Sequence, residues 1–292
     1  MPLIEQSLFG TTDKVQSAID RLRAFEPKDR PYWLAYSGGK DSCVILELAK
    51  MARVNFEAHY SVTSVDPPEL VRFVKAHKDV SFDIPHDREG KTISMWSLLK
   101  SRAMPPTRIA RYCCEKLKES SGKGTVTITG VRWAESVNRK NNQGLVNVFG
   151  KTKREAIILN DDNDESRRQV EVCFRTRKTL VNPIIDWTDE EVWEFIQKYN
   201  VPYCELYDMG WSRLGCIGCP MSGNRQKELD AYPKYKEQYL RCFDVMYKNR
   251  IERGYETAWT CGRDIYDWWI GNDTTDQNQM SLLEETEDGH EL

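Results

Sequence analysis

Two hydrophobic periods trade places along the chain, and the switches between them mark its elements. From Asp13 to Phe25 the apolar residues Val15, Ala18, Ile19, Leu22 and Phe25 recur at helical spacing, with Asp13 placed to cap the helix. A short apolar run from Tyr32 to Tyr36 predicts a buried strand, and Val44 to Ala49 returns to helical spacing. Ser37 to Ser42 must therefore turn between them. Asn55 to Val62 sets Phe56, Ala58 and Tyr60 against Glu57, His59 and Ser61, the alternation of a second strand. Pro67 and Pro68 then open a helix to His77, in a first turn where a missing N–H costs little. Strand, loop, helix, strand and helix in that order imply a parallel sheet with right-handed crossovers.

Further along, Val80 to Ile84 predicts a third strand, Ile93 to Lys100 a helix with Trp96 and Leu99 inward, and Thr125 to Val131 a β-branched strand. Residues Lys140 to Arg177 interrupt this order. There AIILN and QVEVCFRT read as two strands around the polar DDNDESRR, a hairpin that is either an arm for a partner or a tolerated insertion, with Cys173 in its core. The string PIIDWTDEEVWEFIQKY predicts a strand end and a helix capped at Thr188, with Glu191 completing a capping box and Val192, Trp193, Ile196 and Tyr199 on one apolar face. Tyr232 to Lys248 is again helical, and Trp259, Trp268 and Trp269 precede an acidic, polar tail from Asp273 to Leu292 that is expected to be disordered. The pattern predicts an α/β fold, a parallel twisted sheet with helices on both faces. It assigns a nucleotide-binding domain to 13–225 with the hairpin inserted at about 140–178, a helical extension to 226–272 and the tail to 273–292.

Composition narrows this only modestly. The 292 residues are 40% hydrophobic and 30% charged, which describes a soluble globular chain, and the net charge of −3 gives no overall basic character that would announce nucleic acid. The start, MPLIEQSLFGTTDKVQ, lacks the basic residues and long apolar core of a signal peptide, and no apolar run reaches the roughly 18 residues of a membrane span. A cytoplasmic location without membrane contact is expected. Nine cysteines are an odd number in a long chain, so metal ligands or reactive thiols are expected rather than a disulfide framework.

The turn between the first strand and its helix reads SGGKDS and is suited to hold phosphate. Gly38 and Gly39 let the backbone fold tightly and expose its N–H groups, the helix start adds positive partial charge and Lys40 adds a full one. Asp41 can cap the helix and, with Ser37 and Ser42, bind phosphate-bound Mg²⁺ or water. Neither GxxxxGK[ST] nor GxGxxG is present. The loop resembles the pyrophosphate-binding loop of the N-type ATP pyrophosphatases, which split ATP between its α and β phosphates. Ligands of parallel sheets bind beyond the carboxyl ends of the strands. Thr63 to Asp66 lies at such an end, so Ser64 and Asp66 either border the nucleotide or serve as turn and cap residues. In GVRWAESVNR, Arg132, Glu135 and Arg139 lie at another, where a cationic pair would neutralise a phosphate or sulfate, or an Arg–Glu pair would sit on the surface.

Cys113 and Cys114 are adjacent, and Cys216 and Cys219 form a C-x2-C followed by Pro220. Four thiols make a complete tetrahedral set, and Gly215 and Gly218 favour a tight knuckle. Neighbouring cysteines must splay to reach one zinc ion, whereas a [4Fe–4S] cube offers each thiolate its own iron, so cluster, zinc and unligated cysteines stand as readings, with cluster ahead of zinc.

In this order behind SGGKDS, the strings RYCCEKLK, GVRWAESVNR, NPIIDWTDEEVW and LYDMGWSRLGCIGCP resemble the phosphoadenosine phosphosulfate (PAPS) reductase family from about Val15 to Tyr247. In cluster-bearing relatives the paired cysteines and the C-x2-C bind a [4Fe–4S] cluster beside the nucleotide, which implies Cys113, Cys114, Cys216 and Cys219 as ligands. Two departures qualify the resemblance. The ECGLH motif that carries a reductase's catalytic cysteine is absent, the nearest string being TCGRD with Cys261, and the phosphate loop is intact where reductases often have degenerate versions. The chain is thus similar to DNA phosphorothioation sulfurtransferases and tRNA thiolases. The expectation is an ATP-cleaving enzyme that adenylates an acceptor for sulfur transfer, with Lys40, Asp41 and Arg132 as catalytic residues, Mg²⁺ on the phosphates, and a sulfur donor or reductant protein as partner. Lys151 to Arg154, or Arg167 and Arg168 with Arg175 and Arg177, either meet the backbone of a nucleic-acid acceptor or form solvated faces. The alternatives are reduction of adenylyl sulfate or PAPS to sulfite, and a nucleotide-binding module with a structural metal.

Overall fold

The computed structural model describes residues 3–7, 10–119, 122, 124–149, 157–160 and 178–271. Two compact units divide the chain. One comprises Met1–Ser61, Pro68–Asp83 and Ser121–Leu214, the other Val62–Pro67, Ile84–Ser120 and Gly215–Leu292.

In the first unit a small antiparallel hairpin, β1 (Ile4–Ser7) and β2 (Gly10–Asp13), leads into α1 (Lys14–Ala24). The Asp13 carboxylate caps that helix by accepting from the N–H groups of Val15 and Gln16, and Val15, Ala18, Ile19 and Leu22 form its buried stripe. β3 (Tyr32–Ala35), α2 (Lys40–Ala52), β4 (Phe56–Ser61), α3 (Pro68–Ala76) and β5 (Val80–Asp83) follow in the order the periodicities predict. β6 (Val126–Ile128), α6 (Val137–Asn142), β7 (Val146–Phe149), β8 (Ile157–Leu159), β9 (Lys178–Val181) and α7 (Asp189–Lys198) complete the unit.

The seven strands β3 to β9 lie in the order β5-β4-β3-β6-β9-β7-β8. The five from β5 to β9 pair in parallel, and β7 runs antiparallel to both β9 and β8. The chain leaves β3 for β4 on one side and returns to β6 on the other, so strand order reverses between β3 and β6. Crevices at such reversals, beyond the carboxyl ends, are where α/β sheets take ligands.

Residues 140–178 differ from the expected hairpin. The AIILN strand exists as β8, but its partner is β7, and QVEVCFRT with Cys173 lies outside the described residues. β7 escapes a pattern search because a polar residue sits in its middle. Asn147 is fully buried, and its carbonyl accepts from the Gly144 N–H at 3.1 Å and the Asn182 amide at 3.2 Å, which satisfies it inside the sheet. In α7 the Thr188–Glu191 capping box forms as predicted. Its buried apolar residues are Val192, Phe195 and Ile196, while Tyr199 turns outward at 36% exposure, so the apolar face is rotated from the expected one.

The second unit is helical: α4 (Met95–Ser101), α5 (Tyr112–Cys114) running into a π-helical turn over Glu115–Glu119, α8 (Arg225–Ala231), α9 (Pro233–Glu252) and α10 (Gly262–Gly271). Leu99, Tyr239, Phe243, Met246, Ile265 and Trp269 build its core. A Cβ on Gly262 would stand 2.3 Å from the Asp244 backbone nitrogen, so α10 can start against α9 only with glycine there. No helix among the described residues is long and apolar enough to cross a membrane. The predicted tail lies outside the described residues.

Candidate nucleotide site and thiol cluster

β3 ends at Ala35 and α2 begins at Lys40, so the SGGKDS turn spans the mouth of the sheet. Gly38 adopts φ +75°, and a Cβ there would meet Leu70 Cδ1 at 2.6 Å and Val74 Cγ2 at 2.7 Å on α3. Glycine is required twice over, by conformation and by contact. Gly39 is the N-cap and makes no side-chain cap bond, so the expected capping role of Asp41 is not realised. Asp41 lies within the first turn and accepts from Arg132 Nε at 2.6 Å instead. The Ser42 hydroxyl donates to the Gly39 carbonyl at 2.8 Å, and Ser37 Oγ donates to Ser42 Oγ at 3.3 Å, which closes the loop on itself.

Arg132 follows β6, and its side chain is buried at 2% exposure. Beyond Asp41 it donates from Nη1 to the Trp187 carbonyl at 3.2 Å and from Nη2 to Asp189 Oδ1 at 2.5 Å. Burial works against the guanidinium charge, but Asp41 and Asp189 outweigh it and raise its pKa. Lys40 is also buried, with Nζ 3.4 Å from Asp189 and 3.7 Å from Asp41. Burial pushes the Asp189 carboxyl up, yet Arg132 and Lys40 bring it below the usual carboxylate range. The Lys40 N–H donates to the Tyr207 hydroxyl at 2.9 Å. Tyr207 is wedged edge-on against Trp193 of α7, and burial raises its phenol pKa, with the Asp41 charge adding to the effect.

Of the two readings of GVRWAESVNR, the surface Arg–Glu pair is the one that forms, not the cationic pair. Arg139 turns to Glu135 on the surface, and Glu135 also accepts from the Arg132 N–H, so only Arg132 of the two arginines joins Lys40. Three participants were not singled out from sequence. Asp189 sits inside a string whose local meaning is capping and packing, and Tyr207 inside LYDMGWSRLGCIGCP, where the cysteine knuckle and the family resemblance stand out. Gly130 sat in GVRW: a Cβ on it would meet Asp41 Cβ at 3.0 Å and the Asp41 carbonyl carbon at 3.1 Å, so β6 and α2 approach only because it is absent.

Ser64 and Asp66 belong to the second unit. Ser64 has φ +69°, donates to the Thr63 carbonyl and accepts from the Met95 N–H at 3.1 Å, at the start of α4. Asp66 is buried and accepts from the Thr63 hydroxyl at 2.7 Å, while its own carbonyl accepts from Tyr235 at 3.0 Å.

The second unit also carries all four predicted thiol ligands. Cys216 to Cys219 forms the expected knuckle: the Cys219 N–H donates to the Cys216 carbonyl at 3.2 Å, and Gly218 takes φ +72°. Buried Glu228 pins it, accepting from the Gly218 N–H at 3.1 Å and the Ser222 hydroxyl at 2.5 Å. Cys113 and Cys114 end α5, where the helix widens into its π turn. A hydrogen bond from Cys113 makes Cys114 the more acidic of the two, and Arg111, 3.5 Å from its sulfur, adds to this. The hydrogen bond to Cys114 raises Cys113 in turn, and the charges of Cys114, Cys216 and Cys219 raise it further. Burial pushes Cys216 up to about 12, opposed by Lys118. The Cys216 charge raises the pKa of the Lys118 ammonium, with Asp66 and Cys114 contributing. The four sulfurs thus share one electrostatic neighbourhood. Among the described residues, no group of three or more His, Cys, Asp or Glu side chains is gathered tightly enough to hold a metal ion.

Residues 31–222 match the family model described as the phosphoadenosine phosphosulfate reductase domain. The uncharacterized protein MJ0973 of Methanocaldococcus jannaschii is 30% identical over 226 residues, covering 73% of this chain and 46% of that protein. An adenosine 5'-phosphosulfate reductase of Bacillus cereus is 22% identical over 221 residues, 73% of this chain and 83% of that enzyme. The chain spans less than half the length of MJ0973 and of a second M. jannaschii relative, MJ0066, at 46% and 42%. Among solved structures, Candida auris PAPS reductase in its phosphate complex aligns at a TM-score of 0.44 and 16% identity, over 68% of this chain and 88% of that one. Candida glabrata FMN adenylyltransferase with FAD and pyrophosphate aligns at 0.46 and 14%, over 74% and 72%. With a family match over well more than half its length, and with the SGGKDS turn at the reversal of a mostly parallel sheet, this chain belongs to the PAPS reductase domain family.

Proposed function

We propose that this chain binds ATP at Ser37–Ser42 and transfers its adenylyl group to an oxygen of an acceptor, priming that position for replacement by sulfur. The observation that carries this reading is the convergence of Lys40, buried Arg132 and the amino end of α2 where the strand order reverses between β3 and β6. Positioned cations and a helix start stabilise the charge that gathers on a departing pyrophosphate. The acceptor oxygen attacks the α-phosphorus, the bond to the α–β bridging oxygen breaks, and pyrophosphate leaves with the electron pair. A sulfur nucleophile from a donor protein then displaces AMP. The acceptor is proposed to be a nucleic acid; the basic residues considered for it at 151–154 and 167–177 lie outside the described residues.

Ser37, Ser42 and Asp41 already have protein partners. Mg²⁺ would therefore arrive on the phosphates, its usual mode of binding, rather than in a protein cage. What supports an iron–sulfur group is that Cys113 lies within the electrostatic reach of Cys114, Cys216 and Cys219, and that the cations Arg111 and Lys118 stand close enough to offset thiolate charge. Cys113, Cys114, Cys216 and Cys219 would hold a [4Fe–4S] cluster, whose chemistry is to hold or relay sulfur. Iron and inorganic sulfide measured on anaerobically purified protein test this, and zinc at one equivalent would overturn it.

Incubation with ATP and candidate acceptors should release AMP and pyrophosphate; ADP and phosphate would refute the reading. A second reading is reduction of adenylyl sulfate or PAPS, favoured by the names of relatives and by the exposure of Cys261. Its thiolate would attack the nucleotide's sulfur, expel the nucleoside phosphate, and yield sulfite when a dithiol reductant resolves the bond. Sulfite release with a thioredoxin-type dithiol, lost in Cys261→Ser, would establish it.

A further inference from the structure

The two cations of the phosphate site share a protein anion. A single carboxylate oxygen, Asp189 Oδ1, lies 2.5 Å from Arg132 Nη2 and 3.4 Å from Lys40 Nζ. Two such donors around one oxygen are the arrangement that a phosphate oxygen would meet. Counting charges, Lys40 and Arg132 face Asp41 and Asp189, so the quartet is neutral and offers a polyanion no net attraction.

The two carboxylates are not equivalent. Asp41 is 22% exposed and held in the first turn of α2 against Gly130, whereas the Asp189 side chain is 63% exposed at the first residue of α7. Asp189 can turn to water at little cost, beside a helix start that favours its charge there. Arg132 would not be stranded, because Asp41 and the Trp187 carbonyl continue to orient it.

We propose that Asp189 is an internal counter-ion of the phosphate site, a positioning residue that holds Lys40 and Arg132 in place and yields both to the polyphosphate when nucleotide binds. The inference rests on the nucleotide reading of the Ser37–Ser42 loop. Binding is then an exchange of one anion for another. The site keeps its cations aligned without leaving them uncompensated, and a ligand must offer more than a single carboxylate to displace Asp189.

The test is calorimetric titration of the full chain with pyrophosphate and with Mg·ATP. Asp189→Asn and Asp189→Ser remove the competing charge and should bind pyrophosphate about tenfold tighter than wild type, while Asp189→Glu, which keeps the charge, should stay within about twofold. A purely structural role predicts the opposite sign, since loss of an ion-pair partner would loosen Arg132. Equal or weaker binding by both neutral variants, with wild type binding normally, overturns the proposal while leaving the nucleotide site intact. No binding by wild type or by either neutral variant overturns the nucleotide reading and this proposal with it.

Discussion

Arg132 Nε stands 2.6 Å from Asp41 Oδ1 across 91 positions of sequence, and this contact ties the end of β6 to the first turn of α2. The same guanidinium reaches the start of α7, so one buried side chain joins three strand-end segments around the SGGKDS turn.

Arg132→Ala should therefore cost both stability and binding. Removing one partner of a buried charge set typically costs about 3 kcal/mol, and Arg132 has only 2% of its side chain exposed. Thermal melting should fall and pyrophosphate affinity should drop by at least about tenfold. Arg132→Lys retains the charge but cannot fork to Asp41 and Asp189 together, so it should recover stability only in part. Wild-type melting and affinity in the Lys variant would refute the forked role.

Gly130→Ala should act on the loop from the neighbouring strand end, by pressing on Asp41. Its Cβ would press on Asp41 Cβ at 3.0 Å and on the Asp41 backbone at 3.1 Å, and backbone cannot give way as a side chain can. The first turn of α2 would be displaced. We expect stability to fall by about 1–2 kcal/mol and the affinity for Mg·ATP to fall further than stability accounts for. An unchanged ATP titration would show that the close approach is incidental.

Acid should release the tie between α1 and the segment after β9. Arg21 donates to both oxygens of Asp186, at 2.7 and 3.0 Å, and to the Pro183 carbonyl. Burial pushes the Asp186 carboxyl up, but Arg21 more than offsets it, so the folded value lies below the unfolded one. The stabilisation is then complete above the unfolded carboxylate value and is lost as pH falls through the folded one. Asp186→Asn should cost about 1 kcal/mol at neutral pH, with the difference from wild type shrinking below about pH 4. Urea unfolding at both pH values measures this, and a pH-independent difference would contradict it.

Glu228→Ala should loosen the cysteine knuckle. The buried carboxylate satisfies the Gly218 N–H and the Ser222 hydroxyl, and both would be left wanting. A loss of about 2 kcal/mol is expected. Iron retained after anaerobic purification should fall, although no thiol has been changed. Full retention of iron would mean that the knuckle does not depend on this anchor.

Much of the site could be read from neighbouring residues. SGGKDS announces itself because tight backbone, helix start and lysine are local properties, and Thr188 with Glu191 does so because a capping box spans four positions. The Cys216–Cys219 knuckle is likewise a short-range feature. Asp189 and Tyr207 gave no such signal. Each sits beside a residue with a stronger local meaning, and each acquires its role only from partners far away in sequence, Arg132 and Lys40. Asn147 hid β7 for the opposite reason: a buried amide looks like a loop residue until Asn182 and Gly144 satisfy it.

By itself the sequence determined the run of elements from α1 to β5, the tight glycine turn after β3, the capped start of α7 and the spacing of the two cysteine pairs, because periodicity, capping and turn chemistry act over a few residues. Tertiary structure alone decided that Asp41 serves Arg132 rather than its own helix, that Asp189 bridges the two cations, and that Arg139 is spent on the surface. Those outcomes depend on which strand ends lie side by side. That is set by the crossovers of the sheet and the burial they create, which no short window of sequence contains.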